Sequence, residues 1–422
     1  MRRHPGRSSV LLGMVVCVAI ISFFVAHAAL NVVGGAHAAA TCNVKTYGAT
    51  GNGSTKDSTA IQNAINACEG GGTVDFPAGK YLTAPLFLLK NNITLNVESG
   101  ATILGSTTTS DYTVKSGETV DTTTLALINS DGVSGITITG GGVINGQGAS
   151  WWASGASTSN RPRLVEIAYG SNITVSNVTL ENAGAMHLFL KGTSNVTVNG
   201  ITISSPASSP NTDGIDPASS TNVTIENSNI SDGDDNIAIK AQYAGQPSSG
   251  ITIKNCTFGS GHGLSIGNDL GGGVSGVTVS NVTFNGTTNG LRIKSTRTTG
   301  GDISGVTYTG VTMTNVEYPI WFSGYYPHIP TSDSAQSITA TTPYYHNITI
   351  NNLTATGASA AGYIVGVPEK AFTSITLNAV KITAKTGLEV RNAAVVVTGG
   401  TTMNVSSGSA YIIQSGGSVT TK

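Results

Sequence analysis

Four short polar motifs contain the residues of this sequence that are suited to chemistry. They lie about one repeat apart in a background rich in Thr, Asn and Gly, and only 10% of the chain is charged. The motifs read Asn-Thr-Asp at 211–213, Gly-Asp-Asp-Asn at 233–236, Gly-His-Gly at 261–263 and Arg-Ile-Lys at 292–294. Carboxyl and imidazole groups donate and accept protons, and Arg and Lys bind anions. The motifs therefore predict proton-transfer chemistry on an acidic substrate, provided that the fold brings them together.

A repeated strand sequence predicts the elements that must position these motifs. Its copies alternate β-branched apolar residues with Thr and are bounded by Gly, Asn and Ser, which is typical of a strand with one buried face. From Val196 to Val306 the steps between copies are 27, 28, 26 and 29 residues, a period in the range of solenoids. Copies occupy residues 172–175, 195–198, 222–225, 250–253, 276–279 and 305–308.

Strands of this kind bury their apolar face only when successive coils stack on one another. We therefore predict an all-β chain, a single-stranded parallel β-helix of about ten coils over residues 41–422. A helical period over residues 57–68, with Asp57 or Ser58 as N-cap, predicts a short helix that caps the first coil. An amide ladder is expected where an Asn recurs a few residues into each copy, at Asn177, Asn199, Asn227, Asn255 and Asn281.

The solenoid predicts that the four motifs meet at one place. Residues one repeat apart lie on neighbouring coils, roughly 4.8 Å apart. The steps are 22, 27 and 30 residues along the series Asp213, Asp235, His262 and Arg292. We therefore expect one angular position on four successive coils, where the pKa of at least one clustered carboxyl group must rise. The glycines on either side of His262 are expected to leave room for a ligand.

In this order and spacing the four motifs resemble the signature motifs of polygalacturonases, glycoside hydrolase family 28. The resemblance extends over the mature chain and includes Tyr-Gly-Ala at 47–49 with the helix that follows. It implies a right-handed parallel β-helix that hydrolyses α-1,4 bonds of polygalacturonate with inversion and without a metal or other cofactor. Endo action is expected, because the sequence lacks the extra N-terminal module and the large insertions that often accompany exo-acting relatives.

The same resemblance implies a role for each site residue. Asp234 is the acid that protonates the leaving oxygen, while Asp213 and Asp235 hold the attacking water, as inverting hydrolysis requires. His262 adjusts the titration of this cluster. The implied substrate-binding residues are Asn211, Arg292, Lys294 and Tyr318.

The fourth motif predicts recognition of an acidic sugar. Arg292 and Lys294 are two residues apart, so both can point to the same side of a strand. Arg offers a planar fork for a carboxylate and Lys a point charge, and both are expected on the reducing-end side of the cut. Tyr318 resembles a family aromatic at the cleft, although Pro319 stands where the family usually has Gly. The tyrosines at 325–326 are candidates for the border of the cleft.

Residues 1–40 are typical of a secretory signal peptide. Arginines are followed by an apolar run from Val10 to Ala26 and by small residues up to Ala40. This predicts secretion to the extracellular space or periplasm, with cleavage near Ala40 and no membrane attachment afterwards. An uncleaved anchor stays open as an alternative, because seventeen apolar residues are just enough to span a bilayer.

The cysteines bear on the compartment in which the protein is expected, and the net charge bears on the partners that it can attract. Export predicts a disulfide between Cys42 and Cys68, whereas Cys256 has the sequence context of a small buried apolar residue. Formal net charge is -1 and the pI is about 6.6, so no global field attracts nucleic acid or anionic lipid. The expected partner is a polygalacturonate or pectin oligosaccharide, bound by a monomer.

Several alternatives stay open at this point. One alternative is an exo-polygalacturonase or a rhamnogalacturonan-type hydrolase of the same family. A pectate lyase would share the β-helix but eliminate with calcium and a basic residue. A non-enzymatic carbohydrate-binding solenoid would bind without cleaving, and the four-motif site speaks against it.

Overall fold

Successive coils of the chain stack in parallel, strand upon strand. The computed structural model describes residues 40–68, 70–114, 124–153 and 160–422. The predicted signal peptide at 1–40 lies outside these residues except for Ala40. The ladders that join successive coils are parallel, so the predicted parallel β-helix is confirmed.

Three parallel sheets run along the solenoid, and four of the strands are long enough to bend from one sheet into the next. The first sheet contains β1 (Thr41–Asn43), β3 (Thr73–Phe76), β6 (Thr94–Val97), β9 (Thr137–Thr139), β12 (Ser171–Ser176), β15 (Ser194–Asn199), β18 (Thr221–Glu226), β21 (Ser248–Lys254), β24 (Val274–Asn285), β26 (Asp302–Thr314), β28 (Tyr344–Val365), β29 (Phe372–Arg391), β30 (Ala393–Thr398) and β33 (Ser418–Thr421). The second sheet contains β2 (Asn52–Lys56), β4 (Gly79–Thr83), β7 (Ala101–Gly105), β10 (Val143–Asn145), β13 (Thr179–Glu181), β16 (Thr202–Ser204), β19 (Asn229–Ser231), β22 (Thr257–Phe258) and β31 (Thr402–Val405).

The third sheet carries the candidate site. Near its C-terminal end it also includes the last residues of β28 and β29. Its own strands are β5 (Leu86–Phe87), β8 (Ile128–Asp131), β11 (Val165–Ala168), β14 (Leu188–Lys191), β17 (Ile215–Ala218), β20 (Ile237–Ile239), β23 (Leu264–Gly267), β25 (Asn289–Lys294), β27 (Tyr318–Ser323) and β32 (Tyr411–Ile413).

The core is a set of aliphatic rows inside the coils. In β12, β15, β18 and β21 every second residue points inward, and the inward residues lie in register from coil to coil. One such row runs through Val175, Val198, Ile225 and Ile253, all of them fully buried. Burial of each such side chain contributes about 1.5–3 kcal/mol, which is why the alternating sequence requires stacked neighbours.

Helices are short and few in the described part of the chain. The helix α1 (Ser58–Ala67) buries Ile61, Ala64 and Ile65 against the first coil, as the sequence predicted. The remaining helical turns are α2 (Ala149–Trp152) and the 3-10 turns Val44–Tyr47 and Thr109–Tyr112.

Asp57 occupies the predicted N-cap position of α1, but its side chain makes no capping hydrogen bond to the helix. Asp57 precedes the helix, but its Oδ1 accepts hydrogen bonds from the amide and hydroxyl of Thr50, and its Oδ2 accepts one from the amide of Gly51. Ser58 Oγ accepts a bond from the amide of Ala84 at 2.7 Å. Because Asp57 is buried, its carboxylate instead fixes the loop that leads into the helix.

The recurring asparagines stabilise one corner of the coils. Asn177, Asn227, Asn255 and Asn281 have left-handed backbone with φ between 52 and 54°. Asn227 Nδ2 donates to Asn199 Oδ1 at 2.9 Å, and Asn255 Nδ2 donates to Asn227 Oδ1 at 3.2 Å. The expected amide ladder is therefore present over three of its five positions.

A disulfide joins Cys42 in β1 to Cys68 at the end of α1, with 5.8 Å between their Cα atoms, and so ties the helix to the first coil. Cys256 is a buried free thiol. Within the described residues, every helix is too short or too polar to cross a bilayer.

Candidate active site

Residues of the first three motifs form one row beside the third sheet. Asp213, Asp235 and His262 each lie two residues before the first residue of β17, β20 and β23, and those first residues pair in register. Asn289 and Tyr318 occupy the same position on the next two coils. The structure therefore brings residues 105 positions apart in sequence into one line along the solenoid.

The two cations do not share this row, so the prediction of one angular position is wrong for the fourth motif. Arg292 and Lys294 lie three and five residues beyond the row, within β25. Their long side chains reach back instead. Arg292 Nη1 donates to Asp235 Oδ1 at 3.0 Å, and Lys294 Nζ donates to Asp235 Oδ2 at 2.6 Å.

Asp235 is a buried carboxylate surrounded by donors. Besides the two cations, the hydroxyl of Ser265 on the next coil donates to its Oδ1 at 2.8 Å. Burial alone would raise its pKa, but the positive charges of Lys294 and Arg292 outweigh burial and lower the pKa. The two cations therefore favour the ionised form of Asp235.

Asp234 lies in a more exposed environment than Asp235. Its side chain is 20% exposed, against 2% for Asp235. His262 Nδ1 lies 3.1 Å from its Oδ1, which also accepts the amide of Asp235 at 2.9 Å, and Asn211 Nδ2 donates to its Oδ2 at 3.4 Å. The turn at 233–236 thus sends two adjacent carboxyl groups in different directions.

Asp213 belongs to a buried charge group that the sequence interpretation missed. Lys240 Nζ lies 3.2 Å from Asp213 Oδ2 and 2.5 Å from Asp216 Oδ2. Burial raises the pKa of Asp213, Lys240 opposes this, and the charges of Asp234 and Asp235 raise it further. Burial and Asp213 also raise the pKa of Asp216, while the two carboxylates raise that of Lys240.

A signal for Lys240 was present in the sequence. Lys240 and Lys294 are 54 residues apart, two repeats of 27, and the register places both in one line through Gly267. Extending the repeat to every charged residue near the motifs would have found it.

Two further side chains, from coils that precede the one carrying Asp213, support the row. His187 is fully buried, with Nε2 2.9 Å from Ser205 Oγ and Nδ1 3.2 Å from the carbonyl of Asp213. Burial lowers the pKa of His187 to about 4, so its ring is neutral. Arg161 Nη2 donates to Asn211 Oδ1 at 2.6 Å, which orients the Asn211 amide toward Asp234.

The glycines beside His262 serve the backbone, which corrects the expectation that they leave room for a ligand. A Cβ on Gly263 would lie 2.0 Å from the carbonyl oxygen of Asn289, and one on Gly261 would lie 2.5 Å from Asn236 Nδ2. Both glycines also have positive φ. They are therefore required for neighbouring coils to approach closely.

Aromatic side chains extend the site toward the C-terminal coils. Tyr318 packs against Trp321 and Tyr363, with ring centroids 5.1 and 5.7 Å away. After β27, Tyr326 places its ring 4.9 Å from Lys294 Nζ and 5.6 Å from the Arg292 guanidinium. The candidate tyrosines thus include one that borders the cations.

Asp234, Asp235 and His262 are the group in the described part of the chain that could hold a cation, since each offers a ligand atom within 4.8 Å of the others. Both oxygens of Asp235 already bind positive side chains. A metal ion would face two cations at that carboxylate, so the electrostatics disfavour one here.

Comparison with known proteins identifies the family. The family model described as Glycosyl hydrolases family 28 matches residues 73–401. An endo-polygalacturonase of Pectobacterium carotovorum subsp. carotovorum is 34% identical over 359 residues, covering 79% of this chain and 86% of that protein. The relative from Pectobacterium parmentieri is also 34% identical, over 360 residues, with 79% and 85% coverage.

Solved structures of related proteins support the same fold. The polygalacturonase from Erwinia carotovora ssp. carotovora superposes with a TM-score of 0.74 at 32% identity and covers 85% of this chain and 97% of that one. The family 28 exopolygalacturonase of Yersinia enterocolitica has a TM-score of 0.76 at 22% identity, with 90% and 78% coverage, and so supports the fold alone. This chain is therefore a glycosidase that belongs to glycosyl hydrolases family 28.

Proposed function

We propose that this glycosidase is a secreted endo-polygalacturonase that hydrolyses α-1,4-galacturonosidic bonds with inversion and without a metal. The observation that carries the proposal is the pair of adjacent aspartates, Asp234 and Asp235, in opposite environments beside two cations. The 34% identity with endo-polygalacturonases of two Pectobacterium species supports the same substrate class.

Asp234 is the general acid in this mechanism. Its side chain is 20% exposed, whereas those of Asp213 and Asp235 are 7% and 2% exposed. It can therefore reach the glycosidic oxygen and protonate it as the bond breaks. His262 and Asn211 hold its two oxygens in place.

Asp213 and Asp235 hold the attacking water, and their opposite pKa shifts suit them to different tasks. Asp235 has a lowered pKa, which makes it a weak base that orients the water. Asp213 has a raised pKa, which makes it the stronger proton acceptor while Lys240 favours its charged form. Asp213 therefore takes the proton as water attacks the anomeric carbon from the face opposite Asp234.

Arg292 and Lys294 select the acidic sugar. Lys294 binds Asp235 closely, but Arg292 uses only Nη1 there, and its side chain is 12% exposed. Arg292 can thus bind a galacturonate carboxylate without leaving Asp235. The Tyr326 ring beside both cations is placed to pack against the same sugar.

The remaining parts of the proposal concern the whole chain. Residues 1–40 are a signal peptide, residues 41–422 form the catalytic domain, and the mature enzyme is a monomer without a cofactor that acts on pectin in the extracellular space or the periplasm. The signal-like sequence before Ala40 and the Cys42–Cys68 disulfide support export.

The test is hydrolysis of polygalacturonate by the mature chain. Early products should be mixed oligomers, NMR should show the anomer opposite to the substrate linkage, and a chelator should not reduce the rate. Asp234→Asn should lower kcat by at least ~10²-fold, because the leaving oxygen loses its proton donor. Release of monomer alone would refute endo action, and near-wild-type activity of Asp234→Asn would refute the acid assignment.

A further inference from the structure

The outward-facing rows of the third sheet continue beyond the proposed site. Register pairs Arg292 with Trp321, Trp321 with Tyr363, and Tyr363 with Glu389 on successive layers. The parallel row two residues further along leads from Lys294 to Arg391. Three layers at roughly 4.8 Å each place Arg391 about 14 Å from Lys294 along the solenoid.

A cavity of about 360 Å³ lies at this distance. Its floor consists of the side chains of Trp321, Tyr363, Glu389 and Arg391 from the third sheet, and residues 327–331 of the loop after β27 form one wall. Because the floor belongs to the rows that carry Arg292 and Lys294, the cavity lies on the path that a polymer leaving those cations would follow.

Two aromatic rings of the floor suit a sugar. Trp321 and Tyr363 are only partly buried, and their ring centroids are 4.7 Å apart. Aromatic faces pack against the apolar faces of pyranose rings and at the same time keep polar edges near water. The platform is therefore suited to a carbohydrate unit rather than to a small ion alone.

Arg391 supplies a positive charge that no described carboxylate bonds directly. Its residue surface is only 6% exposed, its Nη1 donates to the carbonyl of Thr331 at 3.1 Å, and its Nη2 is buried with no hydrogen-bond partner among the described residues. It forms no ion pair within 4.0 Å with a described carboxylate. By contrast, Arg297 is neutralised by Asp333 and Glu369.

A buried cation without a counter-ion is costly, and an anion that enters the cavity would offset that cost. Glu389 is the acidic group of the floor. Burial raises its pKa, and Arg391 opposes that shift. Since Glu389 does not pair with Arg391, the guanidinium stays available to a ligand carboxylate.

We propose that this cavity is a further subsite, which binds a uronate unit of the polymer by packing its ring on Trp321 and Tyr363 and its carboxylate against Arg391. The proposal rests on the proposed function, since that function supplies a polymer with a carboxylate on each sugar. It predicts an enzyme that gains binding from units well beyond the cleaved bond.

The test compares substrate lengths. For Arg391→Gln, the ratio of kcat/KM on octagalacturonate to kcat/KM on trigalacturonate should fall about tenfold, the loss of one charged hydrogen bond. Trp321→Leu should lower the same ratio and does not touch the Arg391–Thr331 bond. The control Lys381→Gln removes an exposed charge from the same strand, in its second-sheet part, and should keep the wild-type ratio.

A binding measurement separates this proposal from the proposed function. In an Asp234→Asn background, Arg391→Gln should weaken octagalacturonate binding about tenfold and leave binding of the uncharged galactose octamer unchanged. Equal losses for both octamers, or a length ratio that Arg391→Gln and Trp321→Leu leave unchanged, would overturn the subsite. Absence of hydrolysis by the wild type would overturn the proposed function, and the charge-dependent binding difference would then still support the subsite.

Discussion

Replacing Lys240 by Met should move the acidic limb of the pH profile of kcat/KM to higher pH. Lys240 is buried and contacts both Asp213 and Asp216. Its charge favours ionised Asp213 against burial and against the charges of Asp234 and Asp235, which raise the pKa of Asp213. Without Lys240, Asp213 therefore takes up a proton at higher pH and can no longer accept one from water.

The contact distances set the size of the effect. An opposite charge within about 4–6 Å lowers a carboxyl pKa by about 1–3 units, so the limb should move upward by at least about one unit. On that limb kcat/KM should fall about tenfold, since one pKa unit is a tenfold change in the ionised fraction. Breaking a buried ion pair should also lower the free energy of unfolding by about 3–5 kcal/mol.

The assay is kcat/KM on polygalacturonate over a range of pH, together with urea unfolding. Lys240→Arg keeps the charge and should keep the limb near its wild-type position. Adding Asp216→Asn to Lys240→Met removes one stranded carboxylate and should recover stability and move the limb part of the way back, because ionised Asp216 and Asp213 repel each other. A uniform loss of kcat/KM at every pH, with the limb unmoved, would refute the role assigned to Lys240.

Two predictions concern stability. The pKa of His187 is lowered from 6.5 in the unfolded chain to about 4, so its stabilisation is complete above pH 6.5 and falls by about 3 kcal/mol as pH drops to 4. In urea unfolding at pH 7 and pH 4, the His187→Gln variant should not show this loss of stability at the lower pH. A loss equal to that of the wild type would contradict the prediction. Reducing the Cys42–Cys68 disulfide, which spans 26 residues, should cost about 3.5 kcal/mol in denaturant unfolding. Cys256→Ser is the control, and an unchanged midpoint would count against the disulfide.

The repeat was enough to predict the row that contains Asp213, Asp235 and His262. Alternation of apolar residues defines which side chains point inward, and the step of about one repeat then stacks the residues between strands. Because strand pairing fixes the register, the row does not depend on where side chains go afterwards. This is why the architecture and the carboxylate row were accessible from sequence.

The partners that these side chains contact could not be predicted from the sequence. Sequence spacing alone suggested that Arg292 and Lys294 stack on the row, yet they start three and five residues beyond it and return through their length. Asp57 likewise has the position of a helix cap but binds the preceding loop. In both cases competing hydrogen-bond partners come from segments whose distance only the folded chain determines.

The register between β17, β20 and β23 also bears on how this enzyme tolerates change. Asp213 and Asp235 are 22 residues apart and Asp235 and His262 are 27, yet each pair is separated by one layer. Extra residues in a connecting loop are absorbed without altering the spacing of the reacting groups. Insertions in the loops can therefore reshape the walls of the cleft, and with them the choice of polymer, while the chemistry is inherited unchanged.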